Sequence, residues 1–217
     1  MEAITRAAAV LTLLSGTLMG CDPASEPCTG PTCYGGLVGE SFEAGTWPWA
    51  PWIAPPGSSG GGQVDAACAH DGAFGLADPG WYYRTDGVFG APGGALEEWV
   101  KPTGSGRSYL GFGATSTGTW SFTAAPNTGE IILQRVEYGA ATATYSDLAS
   151  AVVTFTTGNW YRMRVTFGSA GEVTGSLYGA DGTTLLQSVT ATLAGYAPGG
   201  VAIRSFSFCG DAVAAVP

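Results

Sequence analysis

The sequence predicts an all-β protein, a two-sheet antiparallel β-sandwich of the jelly-roll type. Many short stretches alternate apolar and polar residues, turn signals separate them at regular spacing, and no stretch has a convincing helical period. The composition agrees, because 35 glycines, abundant Thr, Val, Tyr and Trp, and only 12% charged residues are typical of strands and turns.

The clearest predicted strand covers residues 161–167, where the apolar and the polar side chains fall on opposite faces. Residues 169–171 form a turn, after which residues 173–177 repeat the alternation. The two segments therefore form an antiparallel hairpin. Keeping the apolar residues on one face pairs Phe167 with Val173, Met163 with Leu177 and Arg162 with Tyr178.

Further predicted strands cover residues 95–100, 108–114, 119–124, 130–138, 141–146, 151–156, 184–189 and 200–209. In the last of these the apolar positions change phase, from Val201 and Ile203 to Phe206 and Phe208. Such a change predicts either a β-bulge or burial on both faces.

Residues 1–20 have the layout of a removable secretory signal, because Arg6 precedes an apolar run at 7–18 that is too short to span a bilayer. The end of this segment, Leu18-Met19-Gly20-Cys21, resembles the lipobox of bacterial lipoproteins. The resemblance implies cleavage before Cys21, lipidation of that cysteine and attachment to a bacterial envelope membrane, facing the periplasm or the cell surface. An ordinary secretory signal with an incidental cysteine is the alternative.

The rest of the chain divides into a tether and one domain. Residues 21–36 are rich in Pro, Gly and small polar side chains without periodicity, which predicts a flexible tether. The predicted domain covers residues 37–217. The formal net charge of −9 leaves no basic surface to neutralise phosphates, so nucleic acid is not an expected partner.

Four cysteines follow Cys21, and an exported chain is expected to hold them as disulfides, for which three connectivities exist. Cys28 and Cys33 bracket a short turn and can close a local loop, which leaves Cys68 to pair with Cys209. A zinc site is the competing interpretation, but the cysteines lack paired C-x-x-C spacing.

Five segments together resemble the concanavalin A-like lectin/glucanase superfamily, and within it the bacterial laminin-G-like jelly rolls. They are SFEAG at 41–45, GRSYLGFG at 106–113, APNTG at 125–129, NWYRMRV at 159–165 and GGVAIRSF at 199–206. The resemblance covers residues 37–213 and implies two packed antiparallel sheets, one of them concave, with the first and last strands adjacent. That adjacency would also bring the Cys68 region near Cys209.

Members of this superfamily are either catalysts or binders, and the sequence favours a binder. Glucanases of this fold carry an E-x-D-x-x-E run, because retaining hydrolysis needs two carboxyl groups about 5 Å apart. The chain has no such run. Glu97 and Glu98 face opposite sides of a strand, and Glu130 and Glu137 are an odd number of residues apart. Glycan binding without catalysis is therefore predicted, with a structural or protein-adhesion module and a glycoside hydrolase as alternatives.

The predicted ligand site is the aromatic cluster of Trp81, Tyr82 and Tyr83, since aromatic rings stack on the apolar faces of sugars. Arg107 and Arg135 are predicted to donate hydrogen bonds to sugar hydroxyls. In the alternative interpretation the rings belong to the core and the arginines are merely solvated.

The lectin-like resemblance also implies a structural calcium ion between the terminal strands. Glu43 and Asp211 occupy the corresponding positions. Calcium needs about six to eight oxygen ligands, so backbone carbonyls and another acid such as Asp65 or Asp71 would have to contribute.

Overall fold

The computed structural model describes residues 40, 42–58 and 60–216, and within them the chain forms eleven strands and two short 3-10 turns. The predicted all-β class is confirmed. No helix in this part of the chain is long and apolar enough to cross a membrane. The strands are β1 Gln63–Asp65, β2 Gly75–Ala77, β3 Tyr82–Phe89, β4 Ala95–Thr115, β5 Gly118–Ala125, β6 Glu130–Glu137, β7 Thr144–Val152, β8 Tyr161–Phe167, β9 Glu172–Tyr178, β10 Leu185–Thr192 and β11 Gly199–Val216.

Two long strands, β4 and β11, pair with each other and pass from one layer of the sandwich into the other. The second half of β4 and the first half of β11 lie in the front sheet, whose order is β3-β11-β4-β5-β6-β7. Their other halves lie in the back sheet, whose order is β1-β2-β11-β4-β8-β9-β10. The hydrogen-bonded path is therefore continuous, and the layers separate where these two strands bend.

The core lies between the two sheets and uses the inward positions of alternating strands. Leu110 and Phe122 of the front sheet are fully buried, as are Met163 and Leu177 of the back sheet. Each such side chain contributes about 1.5–3 kcal/mol relative to an exposed one. The sheets approach closely at Gly175, where a Cβ atom would lie 2.3 Å from the Phe122 ring.

The predicted hairpin is confirmed in its register. In β8 and β9, Phe167 lies opposite Val173, Met163 opposite Leu177 and Arg162 opposite Tyr178. The predicted change of phase in the last strand is also confirmed, because the register of β11 shifts between Phe206 and Phe208. Phe208 is buried and Phe206 is partly exposed, as expected of a bulge rather than of burial on both faces.

Two strand predictions are wrong in detail. Residues 95–100 and 108–114 belong to the single strand β4, and residues 141–146 and 151–156 do not form two strands, because β7 covers Thr144–Val152 alone. β7 is an edge strand whose side chains are mostly exposed, so its apolar alternation is weak. The strands β1, β2 and β3 are not among the predicted strand ranges.

The disulfide between Cys68 and Cys209 is confirmed, with a Cα–Cα distance of 4.9 Å. It ties the 3-10 turn after β1 to the middle of β11, and both cysteines are buried. Cys21, Cys28 and Cys33 lie outside the described residues, together with the predicted signal segment and tether.

Candidate ligand-binding cleft

A cleft of about 460 Å³ opens on the outer face of the front sheet, the face turned away from the back sheet. Residues of the described chain that border it lie at 55–58 and 60, 78–81, 138–145 and 204–206. Backbone segments and side chains from β7, from β11 and from the residues just before β3 thus converge on one place, which is the geometry expected of a binding site.

The alternation of β3 separates the three predicted aromatic residues. Tyr82 points into the main core, where its ring centroid lies 4.9 Å from that of Trp47. Trp81 and Tyr83 lie on the outer face in a second apolar cluster, which also contains Tyr109. Trp81 is only 4% exposed, so it forms a wall of the cleft rather than an open platform.

Tyr145 is held by two hydrogen bonds to its phenol oxygen. Trp81 Nε1 donates to Tyr145 Oη at 3.1 Å, and Arg204 Nη1 donates to the same oxygen at 3.0 Å. Because both acceptor positions of the oxygen are used, its own hydrogen points away from these donors and is free to bond a ligand. Tyr145 is 39% exposed, which leaves its ring accessible from the cleft.

Arg204 lies among aromatic rings. Its Cζ atom is 5.1 Å from the Tyr109 ring centroid, 5.3 Å from that of Phe206 and 6.0 Å from that of Trp81. Phe206 is 39% exposed and lies at the rim of the cleft. The cleft therefore offers two accessible rings, those of Tyr145 and Phe206, with a guanidinium close to both.

The phenol of Tyr109 lies near two arginines. Burial raises the pKa of the Tyr109 hydroxyl, and the positive charges of Arg204 and Arg107 oppose that rise. Arg107 itself donates from Nε to Asn127 Oδ1 at 3.0 Å. Burial likewise raises the pKa of the Tyr138 hydroxyl, whose oxygen has no hydrogen-bond partner in the described part of the chain.

Of the five predicted ligand residues, Trp81 lines the cleft and Arg107 lies just beyond it at Tyr109. Tyr83 packs behind Tyr138, with ring centroids 6.1 Å apart, and Tyr82 is a core residue. The Cζ atom of Arg135 lies 5.0 Å from the ring centroid of Trp120. The register places Arg135 opposite Trp120, and Trp120 opposite the core residue Phe112. Ligand binding by these five residues stays a prediction.

Sequence reasoning missed Tyr138, Tyr145, Arg204 and Phe206. One signal for Arg204 is present, because it alternates with the buried Ile203 and so must face outward from β11. The sequence does not indicate that Arg204 lies beside Trp81 and Tyr145.

Glu43 and Asp211 both anchor the loop at 70–74 through backbone amides. Glu43 Oε1 accepts from the N–H groups of Ala73 at 3.0 Å and Phe74 at 3.1 Å. Asp211 Oδ2 accepts in the same way from His70 at 2.7 Å and Asp71 at 3.1 Å.

These contacts use lone pairs of Glu43 Oε1 and Asp211 Oδ2, and Asp211 Oδ1 also accepts from Ala212 N at 2.7 Å. Asp65 caps the 3-10 turn instead, accepting from Ala67 N at 2.8 Å. The described residues contain no group of three or more His, Cys, Asp or Glu side chains that could hold a metal ion. Calcium binding stays a prediction.

None of the acidic residues considered for hydrolysis is among the described residues that line the cleft. Glu97 faces outward on the back sheet and pairs with Arg164 and Arg162, whereas Glu98 is buried on the opposite face, as the alternation predicts. Glu130 accepts from Ser150 Oγ at 3.1 Å. Among the described residues that line the cleft, Asp78 is the one acid, and its Oδ1 accepts from Phe208 N at 3.0 Å.

No protein-family model and no curated protein matches the chain. Solved structures do match it. The chain is similar to the carbohydrate binding module CBM66 from Bacillus subtilis, at 10% identity and a TM-score of 0.53, over 76% of this chain and 95% of that one.

Further similarity is found to Caenorhabditis elegans galectin LEC-6, at 12% identity and a TM-score of 0.42, over 59% of this chain and 85% of that one. The globular domain of T. cruzi calreticulin matches at 10% identity and a TM-score of 0.49, over 82% of this chain and 87% of that one. At these identities similarity establishes fold alone, and the likeness to CBM66 establishes a lectin-like β-sandwich.

Proposed function

We propose that the protein binds a carbohydrate, without catalysis, in the cleft on the outer face of its front sheet. The observation that carries the proposal is the arrangement around Tyr145. Its exposed ring and its free hydroxyl hydrogen are fixed by Trp81 and Arg204, next to the exposed ring of Phe206. Sugar binding requires this combination of an apolar ring face and oriented polar groups.

Each of these groups has a defined task in the proposal. The rings of Tyr145 and Phe206 stack on the apolar face of a sugar, at about 0.5–1.5 kcal/mol per ring beyond the area buried. Tyr145 Oη–H and the remaining N–H groups of Arg204 donate to sugar oxygens. With two rings in an open cleft the affinity is modest, because binding must first offset lost translational and rotational freedom.

Two observations favour binding over hydrolysis. Retaining and inverting glycosidases both need a pair of carboxyl groups across the scissile bond, and the described lining of the cleft contains Asp78 alone. A solved structure that shares this fold carries the name of a carbohydrate binding module. The alternative of a glycoside hydrolase lacks a comparable observation in its favour.

The proposal is tested by screening the purified full chain on a glycan array, followed by calorimetry with the best ligand. Tyr145→Ala and Phe206→Ala are expected to weaken binding at least about tenfold. Tyr178→Ala is the matched control, since Tyr178 lies on the back sheet beneath Arg162. A failure to bind any glycan, or equal losses in all three variants, would overturn the proposal.

We also infer that the protein is anchored to a bacterial envelope membrane through a lipid on Cys21. The lipobox-like Leu18-Met19-Gly20-Cys21 supports this inference, and two or more acyl chains provide stable attachment. Cys21→Ser is expected to move the protein out of the detergent phase in phase partitioning, whereas the control Cys33→Ser is expected to stay in it. If Cys21→Ser still partitions with detergent, the inference is wrong.

Protein adhesion is a second candidate function, favoured by exposed apolar side chains on two edge strands of the sandwich. Leu148 and Val152 of β7 and Leu185 and Leu186 of β10 are all exposed, and β7 and β10 are edge strands. An empty glycan array together with concentration-dependent self-association that Val152→Lys abolishes would favour this function over carbohydrate binding.

A further inference from the structure

Arg204 carries a positive charge that has no acidic partner among the described residues. Arg84, Arg162 and Arg164 each form salt bridges with carboxylates, but Arg204 does not. Its one side-chain hydrogen bond to a described residue goes to the neutral Tyr145 hydroxyl. Arg204 is half-buried, and among the described residues that line the cleft it is the one arginine.

The geometry of Arg204 leaves its donors available in the cleft. Tyr109, Phe206 and Trp81 surround the guanidinium at 5.1–6.0 Å and restrict its orientation. A guanidinium has five N–H donors in a planar fork, and Nη1 uses one of them on Tyr145. The rest fit the two oxygens of a carboxylate or a sulfate better than single hydroxyls.

A second guanidinium reinforces the positive potential. Arg107 precedes Tyr109 by two residues on β4. The register places Tyr109 opposite Arg204 of β11 and Arg107 opposite Phe206 of β11. Its Nε atom donates to the neutral Asn127, and no described carboxylate lies within salt-bridge distance of it. Arg204 in the cleft and Arg107 just beyond it thus both lack a carboxylate partner among the described residues.

Among the described residues that line the cleft, Asp78 is the acid that could cancel this charge. Its Oδ1 accepts the Phe208 N–H, and it forms no salt bridge with Arg204. Its carboxylate therefore does not replace an external anion at the guanidinium.

We propose that the cleft binds sugars that carry a negative charge, either uronic acids or sulfated sugars, and that Arg204 holds the charged group with Arg107 as the second cation. The inference rests on the proposed carbohydrate-binding function and specifies its ligand class. Uronates and sulfated sugars share the chemistry that Arg204 recognises, which is a planar or pyramidal set of anionic oxygens on a sugar ring.

The test compares sugars that differ only at C6. Glucose, glucuronic acid and glucose 6-sulfate are titrated into the full chain, followed by the same series of galactose, with binding measured from NMR chemical shifts at constant ionic strength. At least one acidic sugar is expected to bind about tenfold more tightly than its neutral parent, the scale of one charge-assisted pair. The carboxylate and sulfate arms then decide which anion the site prefers.

The variants locate the effect at Arg204. Arg204→Gln is expected to remove the preference for the acidic sugar, Arg107→Gln to reduce it, and the control Arg162→Gln, on the back sheet, to leave it unchanged. Arg204→Lys keeps the charge but lacks the planar fork, so it is expected to retain part of the preference. Near-ultraviolet circular dichroism checks that the aromatic cluster around each variant is still packed.

The outcomes separate the two proposals. If neutral and acidic sugars bind equally through Tyr145, the anionic preference is wrong and carbohydrate binding stands. If the preference survives in Arg204→Gln, the assignment to Arg204 is wrong. If no sugar of either kind binds and the glycan array is also empty, both proposals fall.

Discussion

Glu98 of β4 and Asp211 of β11 place two carboxyl groups in the same buried corner of the back sheet, where the charge of Asp211 acts on Glu98. Burial, with the charge of Asp211 as the second cause, raises the pKa of Glu98 to about 8. Glu98 Oε2 has no hydrogen-bond partner among the described residues. Burial also raises the pKa of Asp211, although three backbone amides lower it in part.

The first prediction concerns stability against pH. Glu98 keeps its proton in the folded protein and loses it near its ordinary pKa when unfolded, so folding binds a proton between about pH 4.5 and pH 8. The contribution of the protonated Glu98 to the free energy of unfolding is fully present below about pH 4.5 and is lost as the pH rises through about 8. The free energy of unfolding, measured by urea denaturation, is expected to fall by up to about 1.4 kcal/mol per pH unit in that window.

Glu98→Gln removes the titrating group and keeps its shape. It is expected to flatten the pH dependence of the free energy of unfolding. Between pH 5 and pH 8 the variant should therefore lose less stability than the wild type loses. Glu137→Gln, at an exposed position, serves as the control and should follow the wild-type curve. An equally steep curve for Glu98→Gln would assign the pH dependence to other groups.

The second prediction separates the wall of the cleft from its accessible rings. Trp81→Ala is expected to destabilise the protein by about 3–5 kcal/mol, because it empties a buried site and leaves Tyr145 without one of its donors. Tyr145→Ala is expected to cost less, about 1–3 kcal/mol, because Tyr145 is 39% exposed but accepts the hydrogen bond of the buried Trp81 Nε1. Thermal denaturation of both variants is the measurement, and an unchanged midpoint for Trp81→Ala would contradict the packed position of its ring.

Much of the fold could be predicted from local alternation. The β8–β9 hairpin is the best example, because apolar side chains on one face and arginines on the other permit one register only. β4 is the counterexample. Pro102, Gly104 and Gly106 interrupt its pattern and suggest two strands, whereas pairing with β11 on both sides of the interruption sustains a single one.

The cleft could be predicted only in part, because its members meet through long-range pairing. Trp81 is 64 residues from Tyr145, and Tyr145 is 59 residues from Arg204. Alternation assigns a face to each side chain but does not give the strand order β3-β11-β4 that brings β3 and β11 together. For the same reason, the sequence does not distinguish Trp81 as a wall from Trp81 as a platform.

The third prediction concerns the disulfide. Loss of the Cys68–Cys209 bond, by reduction or by Cys68→Ser, is expected to lower stability by about 5 kcal/mol on the chain-entropy model, because the bond closes a loop of 141 residues. Cys33→Ser is the control and is expected to have a much smaller effect, since the predicted Cys28–Cys33 loop is short. Peptide mapping without reductant should link residue 68 to residue 209, and a link from either of them to residue 28 or 33 would contradict the pairing.

The last prediction concerns the distance between the two sheets. At Gly175 of β9 a Cβ atom would lie 2.3 Å from one carbon of the Phe122 ring and 2.6 Å from a second, so the facing side chain must move to admit it. Gly175→Ala is expected to destabilise the protein by about 1–3 kcal/mol, the usual cost of overpacking, as measured by urea denaturation.

A second substitution tests the cause of that loss. If the Phe122 ring is the obstacle, Phe122→Leu in the Gly175→Ala background should cost less than Phe122→Leu alone, because the smaller side chain leaves room for the added methyl group. Additive losses would mean that the two sites do not interact, and a wild-type stability for Gly175→Ala would mean that the sheets are further apart at this point than the structure indicates.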